Sequence, residues 1–227
     1  MTLSSLTYRT VILIPVYNDR HSVRRIVKQI IDLNPAWPIV VLDDGSNDGL
    51  VAADVAPAHL IRQTPNQGKG QALCTGFNWA HEQGYDFVLT MDADGQHPVE
   101  QIPAFMNAIV TANDFIIGRR HWNRQNMPWS RILSNTITSW LLSLRTGLDI
   151  HDSQIGFRCY PLSDPEIWHI DEGGFQFESA IFLKAKALGL NLRWVDVPVI
   201  YADEASHMHP FRDTWKFIRF FFRSFWT

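Results

Sequence analysis

Thr10-Val-Ile-Leu-Ile-Pro-Val16, then Arg20–Leu33, then Ile39-Val-Val-Leu42 decide the fold. The first and last stretches are short, apolar and β-branched, the pattern of strands buried on both faces. The middle stretch has a helical pattern. Asn18 and Asp19 stand before it as caps, and Asn34-Pro-Ala-Trp-Pro38 breaks it. Strand, helix and strand within some thirty residues make a βαβ unit, which requires a parallel pair.

The alternation continues outward. Strands are predicted at His59–Gln63, Asp86–Met91 and Asp114–Gly118, with helices from Gly70 to about Gln83 and over Pro98–Val110. The second half is less regular: a helix over Met127–Thr146, a strand at Gly156–Tyr160, a helix over Gln176–Leu188 and a strand at Leu192–Pro198. The fold class is therefore α/β, a mostly parallel sheet flanked by helices. Ligands of such sheets sit beyond the carboxyl ends of the strands. With no internal repeat and no low-complexity linker, residues 1–205 read as one domain and 206–227 as an appended helix.

Composition narrows the function. Hydrophobic residues make up 46%, enough for a full core, and charged residues only 19%. A net charge of −3 argues against a broad nucleic-acid-binding surface. Cys74 and Cys159 are far apart and lack metal-site spacing, which points to a reducing compartment. Met1–Arg9 has neither the basic region nor the apolar block of a signal peptide, and no apolar run approaches the ~18 residues of a membrane span.

Several strand ends carry polar turns. Met91-Asp-Ala-Asp-Gly-Gln-His97 offers two carboxylates at a spacing that shares one face of an extended chain, suited to a hard divalent cation. A plain turn is the competing reading, since Asp and Gly are turn formers. Placement directly after a buried strand favours the cation. Asp43-Asp-Gly-Ser-Asn-Asp-Gly49 is either a turn or a set of hydrogen-bonding groups for a base or ribose. Asn66-Gln-Gly-Lys-Gly70 lacks the spacing of a phosphate loop, but its glycines permit close backbone approach. Lys69 either neutralises a ligand phosphate or is solvated. His97 either orients a phosphate or caps the next helix. His207 and His209 form a lone His-x-His, a weak metal signal.

Beyond Phe211, Arg212, Lys216, Arg219 and Arg223 recur at helical spacing among Phe and Trp. This pattern suits the headgroup region of an anionic membrane. A core-packing or dimer helix is the alternative.

Together these residues resemble glycosyltransferase family 2, over most of the chain. Pro15-Val-Tyr-Asn-Asp19, Asp43-Asp-Gly-Ser46, Asn66-x-Gly68-Lys-Gly70 and Asp92-Ala-Asp94-x-Gln96-His-Pro98 occur in the family's order. Gly118-Arg-Arg120, Ser130–Asn135 and Asp152-x-x-x-Gly156-Phe-Arg158 are similar to its dolichol-phosphate mannosyltransferase-like branch. One departure is Asp19, where that branch carries Glu. The transmembrane extension of some members is not expected here.

The resemblance implies a GT-A fold with a Rossmann-like nucleotide half. It implies inverting transfer of a hexosyl unit from a GDP- or UDP-linked sugar to a polyprenyl phosphate, with Mg²⁺ or Mn²⁺ on Asp92 and Asp94. It assigns donor binding to Pro15, Tyr17, Asp19, Asp43, Asp44, Lys69, Asp92, Ala93, Asp94, Gln96, Ser206 and His207. Arg119, Arg120, Arg131, Ser134 and Arg158 fall to the acceptor, although Arg158 has a structural alternative, pairing with an acidic loop. Asp92, Asp94, Arg120, Arg131 and Asp152 are the catalytic candidates. Asp152 would serve as base if the acceptor were a hydroxyl on a lipid or glycan. A non-catalytic nucleotide-sugar-binding or membrane-scaffold protein is the rival from another class. The expected place of action is the cytoplasmic face of a membrane, held peripherally on its anionic surface.

Overall fold

The computed structural model describes residues 8–121, 129–163, 170 and 175–198, with the backbone alone at Ser130, Arg131, Phe175 and Gln176. Its centre is a seven-stranded sheet: β1 (Thr10–Val16), β2 (Ile39–Asp43), β3 (His59–Arg62), β4 (Phe87–Thr90), β5 (Asp114–Arg120), β6 (Arg158–Pro161) and β7 (Asn191–Val197). The strand order is β3-β2-β1-β4-β6-β5-β7. β3, β2, β1 and β4 run parallel, as do β5 and β7, while β6 lies antiparallel between β4 and β5.

Val11–Ile14 are wholly buried, as the apolar run of β1 demands for a central strand. α1 (Arg20–Leu33) joins β1 to β2. The Asp19 carboxylate caps it, accepting from the Ser22 amide at 3.1 Å. A short α2 (Ala52–Val55) precedes β3, and α3 (Lys69–Glu82) returns the chain to β4 on the other side of β1. This reversal opens a crevice between the carboxyl ends of β1 and β4.

The helix read over Pro98–Val110 is shorter in the structure, a 3-10 turn at Val99–Gln101 and then α4 (Ile102–Asn107). Pro103 lacks a backbone donor and so fits only the first turn of a helix, which places the start of α4 beside it. α5 (Trp129–Thr146) and α6 (Phe175–Ala187) pack together in the second half. No helix among the described residues is long and apolar enough to cross a membrane.

β6 does more than fill a gap. Because it runs antiparallel, its first residue, Arg158, lies opposite Thr90 at the end of β4. The Asp152–Phe157 segment is thereby delivered to the rim where β1, β2, β4 and β5 end.

Candidate active site

β4 stops at Thr90, so Asp92-Ala-Asp94 is a turn, closed by Gly95 at φ +76°, and not the extended strand end expected from its spacing. The Gln96 amide donates to Asp94 Oδ1 at 2.9 Å. The Asp92 amide donates to His97 Nδ1 at 3.0 Å, which leaves the imidazole proton on Nε2. Lys69, from the first turn of α3, places its ammonium 2.7 Å from Asp92 Oδ1 and 3.2 Å from Glu178 Oε1 on α6. Burial acts to lower the Lys69 pKa, but the charges of Asp92 and Glu178 outweigh it and raise it. Burial works against ionising Asp92 too, yet Lys69 holds that carboxyl down to about 2. Asp92 is therefore a committed carboxylate at neutral pH.

Gly156 explains the glycine of the Asp-x-x-x-Gly-Phe-Arg motif. A Cβ there would lie 2.7 Å from Asp92 Oδ2. Only a glycine lets this backbone pass the carboxylate.

Asp43 and Asp44 are buried and work inside the protein. Asp43 accepts from the Ser46 amide at 2.9 Å and from Arg62 Nε at 2.6 Å. Asp44 accepts from the amides of Gln67 and Gly68, both at 2.8 Å, and from Gln63 Nε2. These bonds fix the loop that launches α3 and so aim Lys69. In this structure Asp43 thus holds its own turn and Arg62, and Asp44 holds the loop before α3. Tyr17 is half exposed on the β1–α1 turn, Pro15 is partly buried just before it, and Ala93 is buried.

The arginines separate. Arg119 and Arg120 are neighbours on β5 and leave the sheet on opposite faces. Arg119 pairs with Asp196 of β7 at 2.7 Å, away from the acidic turn. Arg120 grips Asp152 with two nitrogens, Nε to Oδ2 at 2.7 Å and Nη2 to Oδ1 at 3.0 Å. Asn135 Nδ2 and the Gln154 amide add bonds to Asp152 Oδ1. Asp152 is completely buried. Burial acts to lower the Arg120 pKa, but Asp152, and after it the charges of Glu178 and Asp92, raise it.

Arg158 is placed as its structural alternative would have it, although on backbone carbonyls and not on an acidic loop. It is completely buried and donates to the backbone carbonyls of Ser153, Ile155 and Glu178 at 2.8, 2.7 and 3.1 Å. It braces the rim loop from inside. Ser134 is partly buried on α5. The Arg131 side chain, Ser206 and His207 lie outside the described residues.

Glu178 was not expected. Its Oε2 is buried with no hydrogen-bond partner among the described residues. The sequence signal was one acid inside the apolar stretch Phe177–Leu183.

The chain matches the model of glycosyl transferase family 2 over residues 11–163. The chain belongs to glycosyltransferase family 2. This transferase is 32% identical over 214 residues to the polyprenol monophosphomannose synthase of Mycolicibacterium smegmatis, covering 87% of this chain and 78% of that one. It is 31% identical over 207 residues to the undecaprenyl-phosphate mannosyltransferase of Micrococcus luteus, covering 86% and 84%. The structure is similar, at a TM-score of 0.67 and 18% identity, to glucosyl-3-phosphoglycerate synthase from Mycobacterium tuberculosis in complex with Mn²⁺ and uridine diphosphate, covering 93% of this chain and 76% of that one. The transferase has the GT-A fold, and both sequence relatives belong to the polyprenyl-phosphate branch that the motifs resemble.

One property of the transferase's site is measurable without substrate. Burial pushes His97 down to about 4, against the pull of Asp92. Between that value and the ordinary ~6.5, the unfolded chain takes up a proton that the folded one refuses. Stability from this residue is therefore flat above pH 6.5 and falls as pH drops toward 4, by roughly 3 kcal/mol in all. In chelator, urea midpoints of wild type and His97→Asn should converge as pH falls from 6.5 to 4.5, because Asn keeps an acceptor for the Asp92 amide and carries no charge. A difference independent of pH would show that His97 titrates normally.

Proposed function

We propose that this transferase moves a hexosyl unit from a GDP- or UDP-linked sugar to a polyprenyl phosphate, with inversion at the anomeric carbon. The names of the two relatives support a lipid-phosphate acceptor. The observation that carries the choice between acceptors is the state of Asp152. A hydroxyl acceptor needs a base, and Asp152 was the acid the sequence offered. Both of its oxygens are taken by Arg120, Asn135 and Gln154, out of reach of solvent. Asp152 instead holds Arg120 in place. A phosphate acceptor is already ionised near pH 7, its second pKa being about 6. It needs cationic positioning and no base.

The acidic turn fits a divalent cation. Asp92 is ionised, and Asp94 stands two residues on in the same turn, partly exposed. No group of three acidic, His or Cys ligands occurs among the described residues. Asp92 and Asp94 would hold the ion, with the remaining positions left to diphosphate oxygens and water, the habit of Mg²⁺ and Mn²⁺. Bound there, the ion would stabilise charge on the departing diphosphate. Lys69 sits on Asp92 as an internal counter-charge and is placed to turn to a donor phosphate. Arg120 and Arg131 orient the acceptor phosphate for in-line attack. One of its oxygens forms the new bond to the anomeric carbon as the bond to the nucleoside diphosphate breaks. Ser206 and His207 close over the donor, and 206–227 meets an anionic membrane surface.

The test is nucleotide release from candidate donors with a polyprenyl phosphate or a lipid alcohol as acceptor. Arg131→Ala is the cleaner variant, since truncating Arg120 would strand Asp152 as a buried, unpaired charge. It should lower transfer to the lipid phosphate by roughly a hundredfold, the scale of a lost transition-state donor, with donor affinity within about twofold of wild type. Equal losses would move Arg131 to the donor side. Turnover on the alcohol alone would establish the hydroxyl reading.

A further inference from the structure

Lys69 joins two acids from distant parts of the chain. Its ammonium lies 2.7 Å from Asp92 Oδ1, in the acidic turn after β4, and 3.2 Å from Glu178 Oε1, in the first turn of α6. As a counter-charge for Asp92, Lys69 needs no second acid. Glu178 nonetheless stands among the buried Phe177, Ala180, Ile181 and Phe182. Its side chain is only 10% exposed. One oxygen leans on Lys69, and the other, Oε2, is buried with no hydrogen-bond partner among the described residues. A buried acceptor in that state costs stability, so its presence calls for a use.

The partners differ in freedom. The start of α3 is pinned, because the Gly68 amide donates to Asp44 Oδ2 at 2.8 Å. The Lys69 backbone therefore cannot follow its ammonium, but the side chain, on a flexible four-carbon stem and 39% exposed, can swing. Glu178 is held from behind by Arg158, whose Nη1 donates to its carbonyl at 3.1 Å. A helix N-terminus also favours its negative charge. The ammonium thus stands between a rim carboxylate, 26% exposed, and a deeper one. A divalent cation and an ammonium on one carboxylate repel each other strongly in a part-buried site. With Glu178 already in reach, the ammonium can give up Asp92 without giving up a carboxylate.

We propose that Glu178 is a positioning residue, the seat that receives the Lys69 ammonium when a divalent cation takes Asp92. Lys69 then turns from Asp92 Oδ1 to both oxygens of Glu178 and engages Oε2. It stays at the rim, where the donor's diphosphate is the next anion to arrive. Without the seat, the ammonium is left on Asp92 and competes with the cation for it. The exchange rests on the cation reading of the proposed function.

The experiment is a double-mutant cycle on cation affinity, with free Mn²⁺ read by electron paramagnetic resonance at one fixed pH and no donor present. It compares the full chain with Glu178→Gln, Lys69→Met and the two combined. Glutamine keeps the volume and an acceptor but not the charge. Any direct field of Glu178 at the ion acts in both backgrounds and cancels in the cycle. Glu178→Gln should weaken Mn²⁺ binding about tenfold more when Lys69 is present than in Lys69→Met, the scale of one hydrogen bond to a charged group. Equal losses in the two backgrounds would overturn the proposal, since a structural role for Glu178 does not depend on the Lys69 charge. A larger loss in Lys69→Met would overturn it too, by showing that Glu178 holds Lys69 on Asp92. Should a variant misfold, crystals of the wild-type protein soaked in Mn²⁺ decide. Lys69 Nζ must lie within hydrogen-bond distance of Glu178 and not of Asp92, and an ammonium still on Asp92 sinks the idea. Wild-type protein that binds no Mn²⁺ removes the cation reading and the seat with it, whereas Mn²⁺ binding without coupling removes the seat alone.

Discussion

Asp94→Ala will abolish turnover of the sugar donor and leave the fold in place. The two carboxylates of the Asp92–Asp94 turn do different structural work. Asp92 is locked against Lys69 and backed by His97 and Gly156, so truncating it disturbs an ion pair, a helix start and a close backbone contact together. Asp94 makes a local bond to the Gln96 amide and is partly exposed in the turn. Rim side chains of this kind contribute little packing, and substitutions away from the core are usually within about 0.5 kcal/mol. The effect on chemistry is of another order. Without Asp94 the site offers one carboxylate that already has a cation partner. The leaving diphosphate then loses the electrostatic support on which glycosyl transfer depends, and electrostatic groups of that kind are worth on the order of a hundredfold to a thousandfold in rate. Donor turnover should fall by at least about a hundredfold, with circular dichroism and urea midpoint close to wild type. Excess chelator should reproduce the loss in the wild-type protein, and added Mg²⁺ or Mn²⁺ should reverse it there but not in the variant. Full activity in Asp94→Ala, or in chelator, would remove the cation from the proposed function.

The turn also shows what a sequence can and cannot carry. β1, α1 and β2 were legible to within a residue because one cause sets each of them: a doubly buried apolar run, a capped amphipathic stretch, a proline break. The carboxyl-end rim came from the alternation of elements. The placement of β6 did not, because periodicity gives a strand but not its neighbour or its direction. That strand delivers Asp152, Gly156 and Arg158 to the rim. Without it, Arg158 stayed open between the acceptor and a structural role, and the proximity of Gly156 to Asp92 was invisible. Asp43 and Asp44 show a second limit. Acidic residues at a strand end look alike in sequence whether they face a ligand or hold a neighbouring loop; here Asp44 holds the loop that aims Lys69, and Asp43 holds its own turn and Arg62. The sequence reading ended the strand at Gly118 and grouped Arg119 with Arg120, whereas β5 runs through both and sends them to opposite faces. Glu178 was hidden because its meaning comes from Lys69, more than a hundred residues earlier.

Arg158→Met should cost stability, not acceptor affinity. The guanidinium lies wholly inside the protein, over the Phe182 ring, with its donors on the carbonyls of Ser153, Ile155 and Glu178. Methionine fills much of the same volume and returns nothing to those three carbonyls. Each unsatisfied buried acceptor costs about 1–3 kcal/mol. Part of that loss is offset because a buried charge no longer has to be desolvated. A net destabilisation of about 3 kcal/mol lowers Tm by roughly 10 °C in a chain of this size. Lysine should not rescue it, since one ammonium on a flexible stem cannot span three carbonyls arranged for a planar fork. The loop that Arg158 braces carries Asp152 and Gly156, so activity should decline as the protein loosens. Below the lowered transition, however, KM for the lipid phosphate should stay within about twofold, far less than the ~1–3 kcal/mol expected of a lost charged contact. Thermal melts and acceptor KM, measured on one preparation, separate the two roles. An unchanged Tm with a large rise in acceptor KM would favour the acceptor role, the other of the two that the motif left open.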